Sequence, residues 1–227
     1  MMELQIENAR ELSDQYTLLK CHVERQLKMS PDRCVTIGVT SCQPGEGVSS
    51  VVLNLAMAFS QDPAARVLVV DAKPNNISRF RMMRKLWKET PATDEKSGTE
   101  IVTADHPDHG SSQLVRADGN FDIILVQGKQ NGARNYFKVD MFRLFLEKAR
   151  GQYSLILVDA PAIRENSFTT LIASTLEGVL LVVEAGRVRR EAIKKAADEL
   201  QAMGGRILGV VLNRQRFPIP EFIYRWI

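Results

Sequence analysis

Apolar and polar positions follow two different periods along this chain. Over residues 3–28, Leu4, Leu12, Tyr16, Leu19, Val23 and Leu27 recur at helical spacing among charged groups. This predicts one or two amphipathic helices, closed by Pro31. Short and almost wholly apolar runs then follow at 35–39, 67–71, 121–126, 155–159, 178–183 and 207–212. Helical patterns separate several of them, at 51–59, 77–88, 136–150 and 189–203. Strands apolar on both faces that alternate with helices predict a mostly parallel sheet covered on both sides, a doubly wound α/β fold. Residues 90–120 are polar and carry Pro91, Gly98, Pro107, Gly110 and Gly119, so loops are expected to dominate there. The organisation read from this pattern is an N-terminal helical segment, 1–30, followed by one α/β domain, 31–227.

The turn after the first strand carries the strongest chemical signal. Residues 40–50 read Thr40-Ser41-Cys42-Gln43-Pro44-Gly45-Glu46-Gly47-Val48-Ser49-Ser50, between an apolar strand and a helix. Glycines at 45 and 47 let backbone N–H groups turn toward an anion, and the following helix adds its positive end. This is the layout of a phosphate loop, and it refines the expected architecture to a P-loop NTPase-like three-layer sandwich. Ser49 or Ser50 supplies a hydroxyl of the kind that binds Mg²⁺. The lysine that normally follows the last glycine is absent, and Val48 stands in its place. Losing one preorganised donor typically costs on the order of a hundred- to a thousandfold in rate. The expectation is therefore a cradle able to hold a diphosphate through backbone amides, but poorly equipped to drive phosphoryl transfer.

Two apolar strands end in an acid, Asp71 and Asp159. In open α/β sheets ligands bind beyond the carboxyl ends of the strands. The loop at 41–49, Asp71, Asp159 and Asn213 all lie at such ends. A carboxylate there is the usual seat of the Mg²⁺ shell beside a phosphate loop. Asp71 and Asp159, with Ser49, thus form the candidate Mg²⁺ set.

Composition narrows the classes. A formal net charge of +3 over 227 residues gives no footprint for nucleic acid. Cys21, Cys34 and Cys42 form no C-x-x-C pair, which suits a reduced, cytoplasmic protein. No apolar run reaches transmembrane length, and the polar start does not read as a signal peptide. Any membrane role is expected to come through a partner.

Together these residues resemble a known group. Pro44-Gly45-Glu46-Gly47 with Ser49-Ser50 and Asn54-Leu55-Ala56, Val67 to Ala72, Asp159-Ala160-Pro161, Val179 to Gly186 and Gly209 to Arg214 are similar to the MinD/ParA-like P-loop proteins. Within that group the chain looks most like the bacterial tyrosine kinase (BY-kinase) domains of capsule and exopolysaccharide synthesis. The resemblance implies that Gly45, Glu46, Gly47, Val48, Ser49 and Ser50 wrap the phosphates of ATP or ADP, with Ser49 on Mg²⁺. It implies Asp71 as the first acid of a second Walker-like motif and Asp159 as the Walker B acid, the candidate catalytic residues of an active chain, and Asn213 with Arg214 at the adenine. It also implies homo-oligomerisation through 13–20, and work at the inner membrane face with a membrane-anchored polysaccharide co-polymerase.

The departures run in one direction. Val48 replaces the loop lysine, and Gln43 stands where the MinD/ParA group has a further signature lysine. Lys73 replaces the second acid of an Asp-x-Asp pair. Asp14, Thr17 and Lys20 stand where the oligomerisation helix carries Glu, Arg, Arg. Only Tyr224 remains of a tyrosine-rich tail. The expected function is a regulatory or scaffolding subunit with little or no catalysis. The rivals are a working tyrosine autokinase or ATPase, and a MinD/ParA-like positioning ATPase.

Four weaker signals remain. Lys73 lies at the rim of the same cleft, and its ammonium is able to replace part of the missing charge. A solvated loop lysine is the favoured reading, because lysine is so often exposed. Asp105-His106-Pro107-Asp108-His109 suggests a metal less than it suggests a solvated turn. Arg79, Arg81, Arg84, Lys85 and Lys88 read first as a solvated face. The apolar tail from Phe217 to Ile227 is expected to pack on its own domain.

Overall fold

The computed structural model describes residues 2–30, 33–73, 112–117, 121–126 and 139–214. Its elements are α1 (Met2–Leu27), β1 (Val35–Ser41), α2 (Val48–Ser60), β2 (Val67–Asp71), β3 (Ser112–Ala117), β4 (Phe121–Val126), α3 (Val139–Arg150), β5 (Leu155–Asp159), α4 (Phe168–Ile172), a 3₁₀ turn (Ala173–Thr175), β6 (Gly178–Glu184), α5 (Arg190–Ala202) and β7 (Ile207–Asn213). The strands form one sheet in the order β3-β4-β2-β5-β1-β6-β7. Every pairing is parallel except β3 with β4.

The period-two alternation within the strands builds two cores. Ile37, Val39, Val69, Leu157, Leu180 and Val182 face α1 and α2. Leu68, Val70, Ile156, Val158, Val179 and Leu181 face α3, α4 and α5, where they meet Phe142, Ile172 and Leu200. β1 and β5, the innermost parallel strands, are buried throughout. That explains why residues 155–158 of β5 read as an unbroken apolar run rather than as an alternating one.

The predicted strands are all present, and the sheet is mostly parallel and doubly wound as expected. One expectation fails: within 90–120, residues 112–117 form β3, an antiparallel edge strand, rather than loop. Its sequence, SQLVRA, is short and half polar, so an edge strand with one partner carries little of the signal that a buried strand does. The short helix α4 was not anticipated either, because five residues give too little periodicity. The predicted helix at 77–88, the Asp/His cluster at 105–109 and the tail at 217–227 lie outside the described residues.

α1 is one continuous helix. Its inner stripe is Tyr16, Leu19, Val23 and Leu27, with Val23 and Leu27 fully within the core. The Lys20 ammonium lies over the Phe59 ring of α2, and the His22 ring is hydrogen-bonded to the Leu208 carbonyl of β7 at 3.3 Å. No helix among the described residues is long and apolar enough to cross a membrane.

The three cysteines are free and differ in environment. Burial, reinforced by the Glu46 charge, pushes the Cys42 thiol up to about 11. Burial does the same to Cys34. Cys21 is exposed on α1. Thiolate is the reactive form, so alkylation of the folded protein at pH 8 should label Cys21 and spare Cys42, as peptide mass spectrometry will show. Equal labelling of both would mean that the turn after β1 is open.

Candidate nucleotide-loop site

The site lies beyond the carboxyl end of β1. Strands to either side of β1 were laid down in opposite directions along the sheet, β5 and β2 on one side and β6 and β7 on the other. A crevice opens at such a switch point.

The loop backbone is held from outside. Gly45 and Gly47 have φ of 88° and 92°, a region that disfavours any residue with a Cβ. At Gly47 there is also no room, because a Cβ would come within 2.1 Å of Asn213 Nδ2. The Ser41 hydroxyl donates to the Gln43 carbonyl, an Arg187 guanidinium N–H to that of Pro44, and the Asn213 amide to that of Glu46. The Glu46 side chain is fully buried and turns inward, accepting the N–H groups of Gln43 and Glu184. With loop carbonyls bound to these side chains, the free first-turn N–H groups of α2 remain for an anion. Gly47, the N-cap, has no side chain to satisfy them. The backbone therefore fits a phosphate group.

The expected nucleotide residues take distinct places. Val48 is 4% exposed and packs into the core beneath α2, so the lysine's position contributes only apolar contact. Asn213 braces the loop at 2.8 Å from the Glu46 carbonyl. Arg214 reaches Glu184 at 3.2 Å, beside Arg187. The Arg187 hydrogen bond and the Arg214 charge hold the Glu184 carboxyl below its ordinary range. Sequence reasoning did not single out Glu184 or Arg187. Their signal was position alone, at the end of β6 next to the loop.

The candidate Mg²⁺ set does come together. Asp71 and Asp159 are register partners on the adjacent parallel strands β2 and β5. Asp159, Asp71 and Ser49 are all buried. The loop after β5 is fixed by Thr40 and Thr169, whose hydroxyls both donate to the Pro161 carbonyl. A cation is already in place among these groups. The Lys73 ammonium is ion-paired with Asp159 Oδ1 and donates to Ser49 Oγ at 3.1 Å. Its backbone N–H donates to Asp71 Oδ1 at 3.0 Å, which turns the chain back over the site. The Lys73 side chain is only 13% exposed, so the solvated reading is corrected. Lysine is exposed by default, but a fully buried carboxylate within reach of its flexible stem overrides that default.

This arrangement does not fit Mg²⁺. Two unit charges 4 Å apart near a protein surface interact by about 4 kcal/mol, and a dication beside the ammonium doubles that repulsion. The same hydroxyl and carboxylate oxygens would have to serve both cations. Among the described residues no other cluster of His, Cys, Asp or Glu is suited to a metal.

Known proteins agree with this architecture. No family model matches the chain. It is 25% identical over 199 residues to the tyrosine-protein kinase CpsD of Streptococcus pneumoniae serotype 4, an alignment covering 86% of this chain and 83% of that kinase. The solved kinase domain of VpsO superposes with a TM-score of 0.64 at 24% identity, over 95% of this chain and 98% of that one. MinD of Aquifex aeolicus superposes with a TM-score of 0.57 at 21% identity, over 85% and 73%. The fold is thus the P-loop ATPase-like α/β fold that MinD-type proteins share. Its sequence relatives include the tyrosine-protein kinases CpsD of Streptococcus pneumoniae and YwqD of Bacillus subtilis.

Removing one partner of a buried ion pair typically costs about 3–5 kcal/mol. Lys73→Ala, unfolded in denaturant with EDTA present, should therefore lose about 3 kcal/mol of stability, and Lys73→Ala/Asp159→Asn should recover most of it. Equal stability of wild type and Lys73→Ala would show the contact to be idle.

Proposed function

We propose that this chain is a tyrosine-kinase-like P-loop protein that regulates or scaffolds the assembly of capsule or exopolysaccharide and has little or no phosphotransfer activity. The observation that carries this reading is the pair of substitutions at one site. Val48 is buried where the phosphate lysine belongs, and Lys73 covers the acid that would hold the metal. The loop backbone supports continued binding of ATP or ADP as a ligand that orders the loop rather than as a phosphoryl donor. Similarity to bacterial tyrosine-protein kinases supports a membrane-anchored polysaccharide co-polymerase as partner and work at the inner face of the membrane. The exposed outer face of α1 supports self-association. The formal net charge of +3 gives no support to nucleic acid as a partner.

The test compares purified full chain with its Asp159→Ala variant and with CpsD of Streptococcus pneumoniae, all given ATP and Mg²⁺. Tyrosine phosphorylation and ATP hydrolysis should fall about a hundredfold or more below CpsD, as loss of a preorganised donor dictates. They should also be unchanged by Asp159→Ala, while capture by the co-polymerase persists. Turnover at the level of CpsD that Asp159→Ala abolishes would make the chain a working kinase or ATPase instead.

A further inference from the structure

The Lys73 ammonium touches two of the three groups, the Ser49 hydroxyl and the Asp159 carboxylate, that the Mg²⁺ expectation assigned to a metal. It arrives there on a short tether. Lys73 follows β2 by two residues, and its own N–H is anchored on Asp71. Apart from the Lys73 contact, the Asp159 oxygens have no hydrogen-bond partner among the described residues, although the side chain is fully buried. A buried carboxylate in that state holds its cation firmly, because release would leave a charge with no compensation. The loop alongside keeps the backbone N–H groups of a helix start available to an anion.

From this we infer that Lys73 is a built-in replacement for the divalent cation, and that the site takes a nucleoside diphosphate as the free anion, without Mg²⁺. The inference rests on reading the loop as a nucleotide cradle, but not on the absence of catalysis. Mg²⁺ is normally held by one or two carboxylates plus phosphate oxygens. Here the carboxylate is taken and the phosphates meet an ammonium. Lysine at this point acts as a point charge toward phosphate, the role Val48 cannot fill. The site therefore keeps one fixed positive charge that responds to no change in Mg²⁺ concentration.

Calorimetric titration of the full chain with ADP, in excess EDTA and in excess MgCl₂, tests this. Wild type should bind ADP with affinities that agree within about twofold in the two buffers. In Lys73→Ala, binding in EDTA should weaken by about tenfold, and Mg²⁺ should restore it, since Ser49 and Asp159 are then open to the ion. Lys73→Arg should remain insensitive to Mg²⁺. Wild-type affinity that rises by about tenfold on adding Mg²⁺ would overturn the inference, as would failure of wild type to bind ADP in either buffer. Failure to bind ADP would also remove the nucleotide from the proposed function, whereas a Mg²⁺-dependent affinity would leave that function to be decided by ATP turnover.

Discussion

The buried ion pair between Lys73 and Asp159 is the interaction on which the site depends. Asp159 closes a central strand with no solvent contact, and its backbone is fixed by register with Asp71 and by the bonds around Pro161. A carboxylate placed so deep requires a cation. In a P-loop enzyme that cation is expected to be a metal brought with the substrate. Here the chain supplies its own cation, Lys73, from the neighbouring strand end.

The phosphate loop itself has not decayed. Its glycines keep positive φ, its carbonyls are bound by Ser41, Arg187 and Asn213, and the buried Glu46 ties it to β6. These contacts order the backbone independently of any side chain at position 48. Main-chain N–H groups in such a loop are able to meet an anion without a charged side chain at position 48.

Much of the architecture was legible from periodicity, because residues 67–70 and 155–158 of buried parallel strands are continuous apolar runs and α1 carries a clear 16-19-23-27 stripe. β3 was not, since an edge strand with one neighbour needs no such pattern. The site was legible where it depends on glycine and on strand-end acids. Lys73 was visible as a residue in the wrong place, but its role was decided by burial of Asp159, which is a property of the packed sheet and not of the local sequence. The bracing by Glu184 and Arg187 was likewise hidden, because their partners lie about 140 residues away along the chain.

Crystals of the full chain grown with ADP and Mn²⁺, measured at the manganese absorption edge, would locate any metal directly. The account predicts no anomalous peak between Ser49 and Asp159, with the Lys73 side chain in that position. A manganese peak there, with Lys73 turned out to solvent, would contradict it.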